Sequence, residues 1–369
     1  MSLATMTGKA TVPAAHDDSE GRLPRPILER TYLGYADGMR VVAVAAVALL
    51  HASASGVVRY DSLASGQWWI ANAIDASCRW AVPVFLMLSG ALALDPARRG
   101  SLSAFYSRRL LRVGVPLVVW TVFYFLWAAL YHEQRVTVES VRGSLLAGLV
   151  ETHLYFLFVI LGLYAVAPLL RETLIRTSPS AGWALAALLV VLASCGIPHE
   201  YWRVNAVTLF LPYVGYFVMG FLLRDVVLTP RRLGVAAAAF TLACAVITIG
   251  TGMRFARWGP SDYRSLALYE YTGAAVVAQS VAAFLLIQHF CSPRTVGAPN
   301  RWIRLMGGAA FGIYLAHRAT LDVVAGWTGD LYANSAGATI ALHALLAFLG
   351  ALVVTLLIQR VPYIRRVVG

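Results

Sequence analysis

Charged residues are scarce in this chain. Of its 369 residues, 13% are Asp, Glu, Lys or Arg and 59% are hydrophobic, and the mean hydropathy is +0.68. Soluble globular proteins carry about 25% charged residues. Half of that share leaves too few polar side chains to cover a surface in water. The composition therefore excludes a set of soluble domains and predicts a polytopic membrane protein.

Lysine and clustered cysteine are scarce as well. Lys9 is the only lysine among 30 basic residues, and no basic stretch has the stacking aromatic residues or the fold signature of a nucleic-acid site. The four cysteines lack CxxC or metal-ligand spacing. The chain has no GxSxG turn and no phosphate-binding glycine loop. We therefore expect no nucleic-acid partner and no metal site.

Long apolar runs are what the chain does contain. A membrane-spanning helix needs about 20 mostly apolar residues. Ten segments meet or approach this length, at about 37–58, 79–94, 113–131, 154–170, 181–198, 206–223, 233–253, 271–288, 305–326 and 336–359. They predict an all-α domain of about ten transmembrane helices at 31–360, between a disordered tail at 1–30 and a short tail at 361–369. The loop at 132–152 has room for a short surface helix.

The basic residues divide unequally between the two sides of these segments. With the N-terminus in the cytoplasm, 21 of the 30 Lys and Arg residues lie on the cytoplasmic side and nine on the other. Cytoplasmic loops of membrane proteins carry such an excess. We therefore expect both termini in the cytoplasm, with an even number of spans between them.

The first apolar segment carries Asp37, Arg40 and His51, which are costly inside a membrane and indicate function. From Arg40 to His51 the helix turns to within roughly 20° of the same face and rises about 16 Å. Asp37 is spaced to hold the guanidinium of Arg40. The stripe suits a long anionic ligand whose charged end meets Arg40 and whose reactive end reaches His51. The alternative is that Arg40 anchors the helix at the interface and that His51 is a hydrogen-bonded polar residue.

Two further clusters follow along the chain. Arg79 begins the second segment, and Ser89 lies in it beside a glycine, a pair that helix packing alone explains. Arg108, Arg109 and Arg112 form a basic patch at the cytoplasmic interface. Such a patch suits anionic lipid headgroups, and it also suits the phosphates of a nucleotide-bearing cofactor.

His153 opens the fourth segment, and His317 with Arg318 interrupts the ninth. A His-Arg pair within a span is hard to explain as apolar core, so we expect it to face a hydrated cavity. His317 fits a structural role and a catalytic role equally well.

Five motifs of the chain occur together, and in this order, in one family of membrane enzymes. They are Tyr35–Arg40 with His51, Val82–Phe85 with Ser89-Gly90, Arg108–Arg112 with Pro116, His153–Leu157, and Phe311–His317. From about residue 31 to the last span, the chain thus resembles the acyltransferase-3 family. It looks most like the compact members that O-acetylate surface polysaccharides or lipid-linked sugars.

The resemblance implies a ten-helix, multi-pass enzyme of the inner (plasma) membrane. Such an enzyme moves an acyl group, usually acetyl, from cytoplasmic acyl-CoA to a hydroxyl of an extracytoplasmic or lipid-linked carbohydrate, and it binds no permanent cofactor. The resemblance also implies that His51 is catalytic and that Arg40 contributes to the acyl-CoA site. Our full set of site residues adds Asp37 as catalytic, Arg108, Arg109 and Arg112 as cofactor-binding, and Arg79, Ser89, His153 and His317 as substrate-binding or structural.

Two other functions remain open at this point. A transporter or flippase for a lipid-linked sugar or small anion would also have about ten spans with intramembrane charges. Its usual sign, paired broken helices in two related halves, is not seen in the sequence. An inactive sensor or scaffold is disfavoured by the Arg40 and His51 stripe. Membrane lipids are expected partners in every case.

Overall fold

The computed structural model is built from helices in the part that it describes, residues 34–59, 63, 65–98, 100–196, 205–260, 262–292, 300–328 and 335–369. This part contains no β-strand. Its α-helices are α1 (Ala36–Arg59), α2 (Gly66–Cys78), α3 (Ala81–Ala93), α4 (Leu102–Arg109), α5 (Val115–Leu130), α6 (Val138–Ala147), α7 (Tyr155–Arg176), α8 (Pro179–Ser194), α9 (Val214–Leu223), α10 (Pro230–Trp258), α11 (Ala274–Phe290), α12 (Arg301–Thr328) and α13 (Ala336–Arg360). The tail expected at 1–30 lies outside the described residues.

Within the described residues, seven helical segments are long and apolar enough to cross a membrane. They are Ala36–Val58, Gly66–Ala93, Leu102–Leu130, Tyr155–Arg176, Pro230–Trp258, Tyr263–Phe290 and Ala336–Arg360. The other expected segments are helical too. Two of them, α8 and α9, are shorter, and α12 carries Arg318 and Asp322 in its apolar run. The chain is therefore an all-helical membrane protein, as the composition predicted.

Several helices begin where the local sequence places a hydroxyl side chain. The N-cap residues of α2, α4, α6, α8, α10 and α13 each accept a hydrogen bond from a backbone N–H of the first turn; they are Ser65, Ser101, Thr137, Ser178, Thr229 and Ser335. Those N–H groups have no partner within the helix itself. Helix α6 ends at Gly148, whose φ of 70° glycine adopts without strain. It is the short helix expected in the 132–152 loop.

Helix α1 lies in the centre of the bundle and packs against α2, α3, α11, α12 and α13. Helices α1 and α12 run parallel. Near their starts, a Cβ atom built on Gly307 would lie 2.7 Å from Cβ of Asp37. Further along, the ring centres of His317 and His51 are 5.0 Å apart. The glycine thus lets the two helices approach closely, and this approach sets the later turns of α12 against the later turns of α1.

Helices α3 and α9 touch backbone to backbone through Gly90 and Gly220. A Cβ atom on Gly220 would overlap the carbonyl group of Met87 in α3. Since a backbone carbonyl within a helix cannot give way, we expect Gly220→Ala to lower the free energy of unfolding by about 1–3 kcal/mol. Denaturant unfolding in detergent measures the change.

The control for this substitution is Gly234→Ala in α10. No heavy atom lies within 4 Å of the Cβ position of Gly234, and alanine favours a helix over glycine. Gly234→Ala should therefore be at least as stable as the parent protein. Equal stability of the Gly220 and Gly234 variants would contradict the close packing of α3 and α9.

Candidate active site

Three histidines from separate parts of the chain lie together, and we call them the histidine cluster. The ring centre of His51 in α1 is 5.0 Å from that of His317 in α12 and 6.2 Å from that of His153, which precedes α7. The rings of His153 and His317 are 5.0 Å apart. His153 and His317 are each 1% exposed, whereas His51 is partly exposed. The sequence indicated each histidine singly, and the packing brings them into one cluster.

The backbone of α12 holds two of these rings. Nδ1 of His317 donates to the carbonyl oxygen of Tyr314 at 2.6 Å, and Nε2 of His153 donates to the carbonyl oxygen of Leu315 at 3.3 Å. The hydroxyl of Tyr124 also donates to the Leu315 carbonyl, at 2.8 Å. The hydroxyl of Tyr314 in turn donates to the backbone carbonyl of His153 at 2.5 Å. The two buried rings are therefore anchored, and His51 is the accessible member of the cluster.

Arg40 and Asp37 form an ion pair on the same helix as His51. Nη1 of Arg40 lies 2.6 Å from Oδ1 of Asp37, with the Arg40 side chain 29% exposed. Asp37 stands 14 residues before His51, which is about 21 Å along the helix axis. This separation is too great for Asp37 to share a proton with His51. The ion pair places Asp37 to orient Arg40, and the catalytic role expected from the sequence stays a prediction.

Arg79 is paired with an acidic residue that the sequence analysis missed. Nε of Arg79 lies 2.6 Å from Oδ1 of Asp75, and Nη2 of Arg79 contacts the same oxygen. Asp75 is fully buried, and its other oxygen accepts a hydrogen bond from the hydroxyl of Ser53 at 3.4 Å. Ser53 follows His51 by two residues, so the pair joins α2 to α1 next to the histidine cluster. In the sequence, the Asp75–Arg79 pair can be recognised from the i, i+4 spacing of opposite charges in an apolar segment.

The structure places the other predicted residues in different surroundings. Ser89 is half-buried in α3 and makes no side-chain hydrogen bond with any described residue. Arg108 and Arg112 are exposed near the junction of α4 and α5. Arg109 instead turns inward, and its guanidinium lies 3.5 Å from the ring centre of Phe105. The expected basic patch therefore presents two exposed cations rather than three.

Arg318 belongs to a polar network at the histidine-cluster end of α12. Its Nη1 lies 2.8 Å from Oδ1 of Asp322, and its Nε lies 3.7 Å from Oε1 of Glu151. Oδ2 of Asp322 accepts from Nε1 of Trp127 at 3.1 Å and lies 3.0 Å from Nε2 of His132. Arg318 and Glu151 are about 30% and 28% exposed. The sequence analysis, which expected Arg318 to face a hydrated cavity, missed both of its acidic partners.

The arrangement is suited to proton transfer at His51, because this imidazole is accessible and lies next to two buried ones. Arg40 lies about 16 Å from it along α1, where it can bind an anionic group. Among the described residues, no group of three or more His, Cys, Asp or Glu side chains could hold a metal ion.

Comparison with known families matches residues 33–360 to a family model described as an acyltransferase domain. This range contains every site residue described above. No curated protein and no solved structure matches the chain. The matched range thus includes all three residues of the histidine cluster.

Proposed function

The chain belongs to the acyltransferase-3 family of enzymes, and we propose that it is an integral membrane O-acyltransferase that transfers an acetyl group. The proposed donor is a cytoplasmic acyl-CoA such as acetyl-CoA. The proposed acceptor is a hydroxyl of an extracytoplasmic or lipid-linked carbohydrate. The observation that carries this proposal is the accessible imidazole of His51, which adjoins two buried histidines and shares a helix face with Arg40.

In this proposal ten helices cross the inner membrane and both termini are cytoplasmic. Seven apolar helical segments of spanning length support the membrane assignment. The excess of arginine on one side supports the orientation. Arg40, Arg108 and Arg112 then stand at the cytoplasmic side, where acyl-CoA is found. His51 and Arg318 lie deeper, toward the opposite face.

His51 serves as the base in the proposed reaction. An alcohol is a poor nucleophile, so its attack on a thioester needs a group that removes the hydroxyl proton. The proton moves to His51, the hydroxyl oxygen forms the new ester bond with the acyl carbon, and the carbon–sulfur bond breaks. The proton then passes from His51 to the departing thiolate. Arg40, oriented by Asp37, binds and positions the anionic donor, while Arg108 and Arg112 attract its phosphates.

A direct test supplies the purified protein in detergent with acetyl-CoA and a carbohydrate acceptor. Release of CoA together with an acylated acceptor is the expected result. A transporter or flippase would leave acetyl-CoA unchanged, and that outcome would overturn the proposal. Mass spectrometry of surface glycans from cells with and without the gene then identifies the acyl group and the acceptor. A covalent adduct on His51 would indicate a route through an acylated histidine.

Arg40→Ala is expected to weaken use of the donor. Loss of a charged hydrogen bond costs about 1.5–3 kcal/mol, so we expect the KM for acetyl-CoA to rise about 10- to 100-fold with a smaller change in kcat. Steady-state kinetics with varied acetyl-CoA measure both constants. Arg142→Ala is the control, since Arg142 forms an exposed ion pair with Glu139 in α6. An unchanged KM in Arg40→Ala would remove Arg40 from the donor site.

A further inference from the structure

His317 has one ring nitrogen whose protonation the backbone determines. Its Nδ1 lies 2.6 Å from the carbonyl oxygen of Tyr314, and a carbonyl oxygen can only accept. Nδ1 therefore carries the proton, which leaves Nε2 of the neutral ring with a lone pair. This Nε2 is buried and has no hydrogen-bond partner among the described residues.

His153 is set in the opposite tautomer with the same result. Its Nε2 donates to the carbonyl oxygen of Leu315 at 3.3 Å, so the lone pair of the neutral ring is on Nδ1. That nitrogen is also buried without a partner among the described residues. The histidine cluster thus contains two buried acceptors. An unmet buried acceptor costs about 1–3 kcal/mol, so a donor between them would be strongly favoured.

His51 is the group placed to supply that donor. Its ring centre is nearer to His317, at 5.0 Å, than to His153, at 6.2 Å. Two imidazoles joined by one N–H···N hydrogen bond have ring centres about 5 Å apart. The rings of His317 and His153 are tied to the backbone of α12, whereas no described residue bonds the ring of His51. The His51 side chain is therefore the member of the pair that can rotate into alignment, as catalytic hydrogen bonds often align when substrate binds.

We infer that His317 is a positioning residue for the acyl transfer, whose Nε2 accepts the N–H of His51. This inference rests on the proposed function. The bond holds His51 in the tautomer whose second nitrogen is unprotonated and points toward the acceptor hydroxyl. When His51 takes the hydroxyl proton, both its nitrogens become donors, and Nε2 of His317 stabilises the resulting cation. His317 thereby does for His51 what a carboxylate does in a catalytic triad, without adding a negative charge within the membrane.

Steady-state kinetics of two substitutions test this role. Groups that orient a metal-bound histidine contribute about 10- to 100-fold, and by analogy His317→Ala is expected to lower kcat by about that factor. The KM for acetyl-CoA should stay within about twofold. His317→Gln keeps a side-chain oxygen that can accept, and it should recover part of kcat. His343→Gln is the matched control, because His343 is a buried membrane histidine that contacts Thr328 outside the cluster.

Nuclear magnetic resonance of the parent protein with ¹⁵N-labelled histidine shows which ring nitrogen of His317 carries the proton. This measurement does not depend on whether a variant folds. We expect His317 to carry its proton on Nδ1 and to have an unprotonated Nε2. Full kcat in His317→Ala, or a proton on Nε2 of His317, would overturn the inference. Equal loss of kcat in the Ala and Gln variants with a changed KM for acetyl-CoA would also overturn it. Persistent acyl transfer in His51→Ala would instead refute the proposed role of His51.

Discussion

Acyl transfer is expected to fall by about 10²–10⁴-fold when His51 is replaced by alanine. This is the usual contribution of a positioned general acid–base group. The hydroxyl of the acceptor then has no accessible imidazole within reach, because the rings of His153 and His317 are each 1% exposed and are anchored to backbone carbonyls of α12. The measurement is the rate of acylated product formed from acetyl-CoA by purified protein in detergent.

The same substitution should leave the fold intact. His51 is partly exposed, and its ring makes no hydrogen bond with a described residue, so its removal costs at most the hydrogen bond to His317 inferred above, about 1–3 kcal/mol. We expect His51→Ala to insert into the membrane and to unfold at a temperature close to that of the parent. His343→Ala serves as the control for loss of a membrane histidine elsewhere. A His51→Ala protein with normal turnover would show that the catalytic residue has been assigned wrongly.

Removal of the carboxylate of Asp75 is expected to cost about 3–5 kcal/mol of unfolding free energy. This is the typical penalty when one partner of a buried ion pair is lost and the other charge remains. Asp75 is fully buried, and the Arg79 side chain is 15% exposed. Asp75→Ala would therefore leave a guanidinium in the bundle with no counterion beside it. Denaturant unfolding in detergent and the yield of folded protein measure the effect.

Two companion variants separate this effect from a general sensitivity to mutation. Glu172→Ala breaks a pair with Arg176 that has the same i, i+4 spacing but is exposed, and it should cost less than about 1 kcal/mol. The double variant Asp75→Ala with Arg79→Met should be more stable than Asp75→Ala, since apolar groups often replace a buried pair at little cost. A double variant less stable than the single one would contradict the account.

Local pattern was sufficient to identify much of this protein. Each of the ten apolar segments chosen by length and composition contains an α-helix among its described residues, and seven helical segments have spanning length. The contact of Asp37 with Arg40 is the one that a three-residue helical spacing predicts. Hydropathy and helical spacing depend only on residues that are near one another along the chain, so both can be read from the sequence.

Local sequence pattern was insufficient to tell which of several similar side chains is buried and which is exposed. Arg108, Arg109 and Arg112 look alike in the sequence, yet Arg109 turns onto Phe105 while the other two face outward. Asp75 could have been found from its i, i+4 spacing to Arg79, but its complete burial and its contact with Ser53 are decided by the packing of α2 on α1. The catalytic role expected for Asp37 stays a prediction, since its contact with Arg40 shows only which side chain it orients.

The sequence by itself determined that this chain is a helical membrane protein of the acyltransferase-3 family, and which side chains are costly in its spans. Only the tertiary structure decided that His51, His153 and His317 meet. They come from distant parts of the chain, and their contact depends on how α1 and α12 pack through Gly307. Packing of this kind arises from the fit of whole helices, which no short stretch of residues encodes.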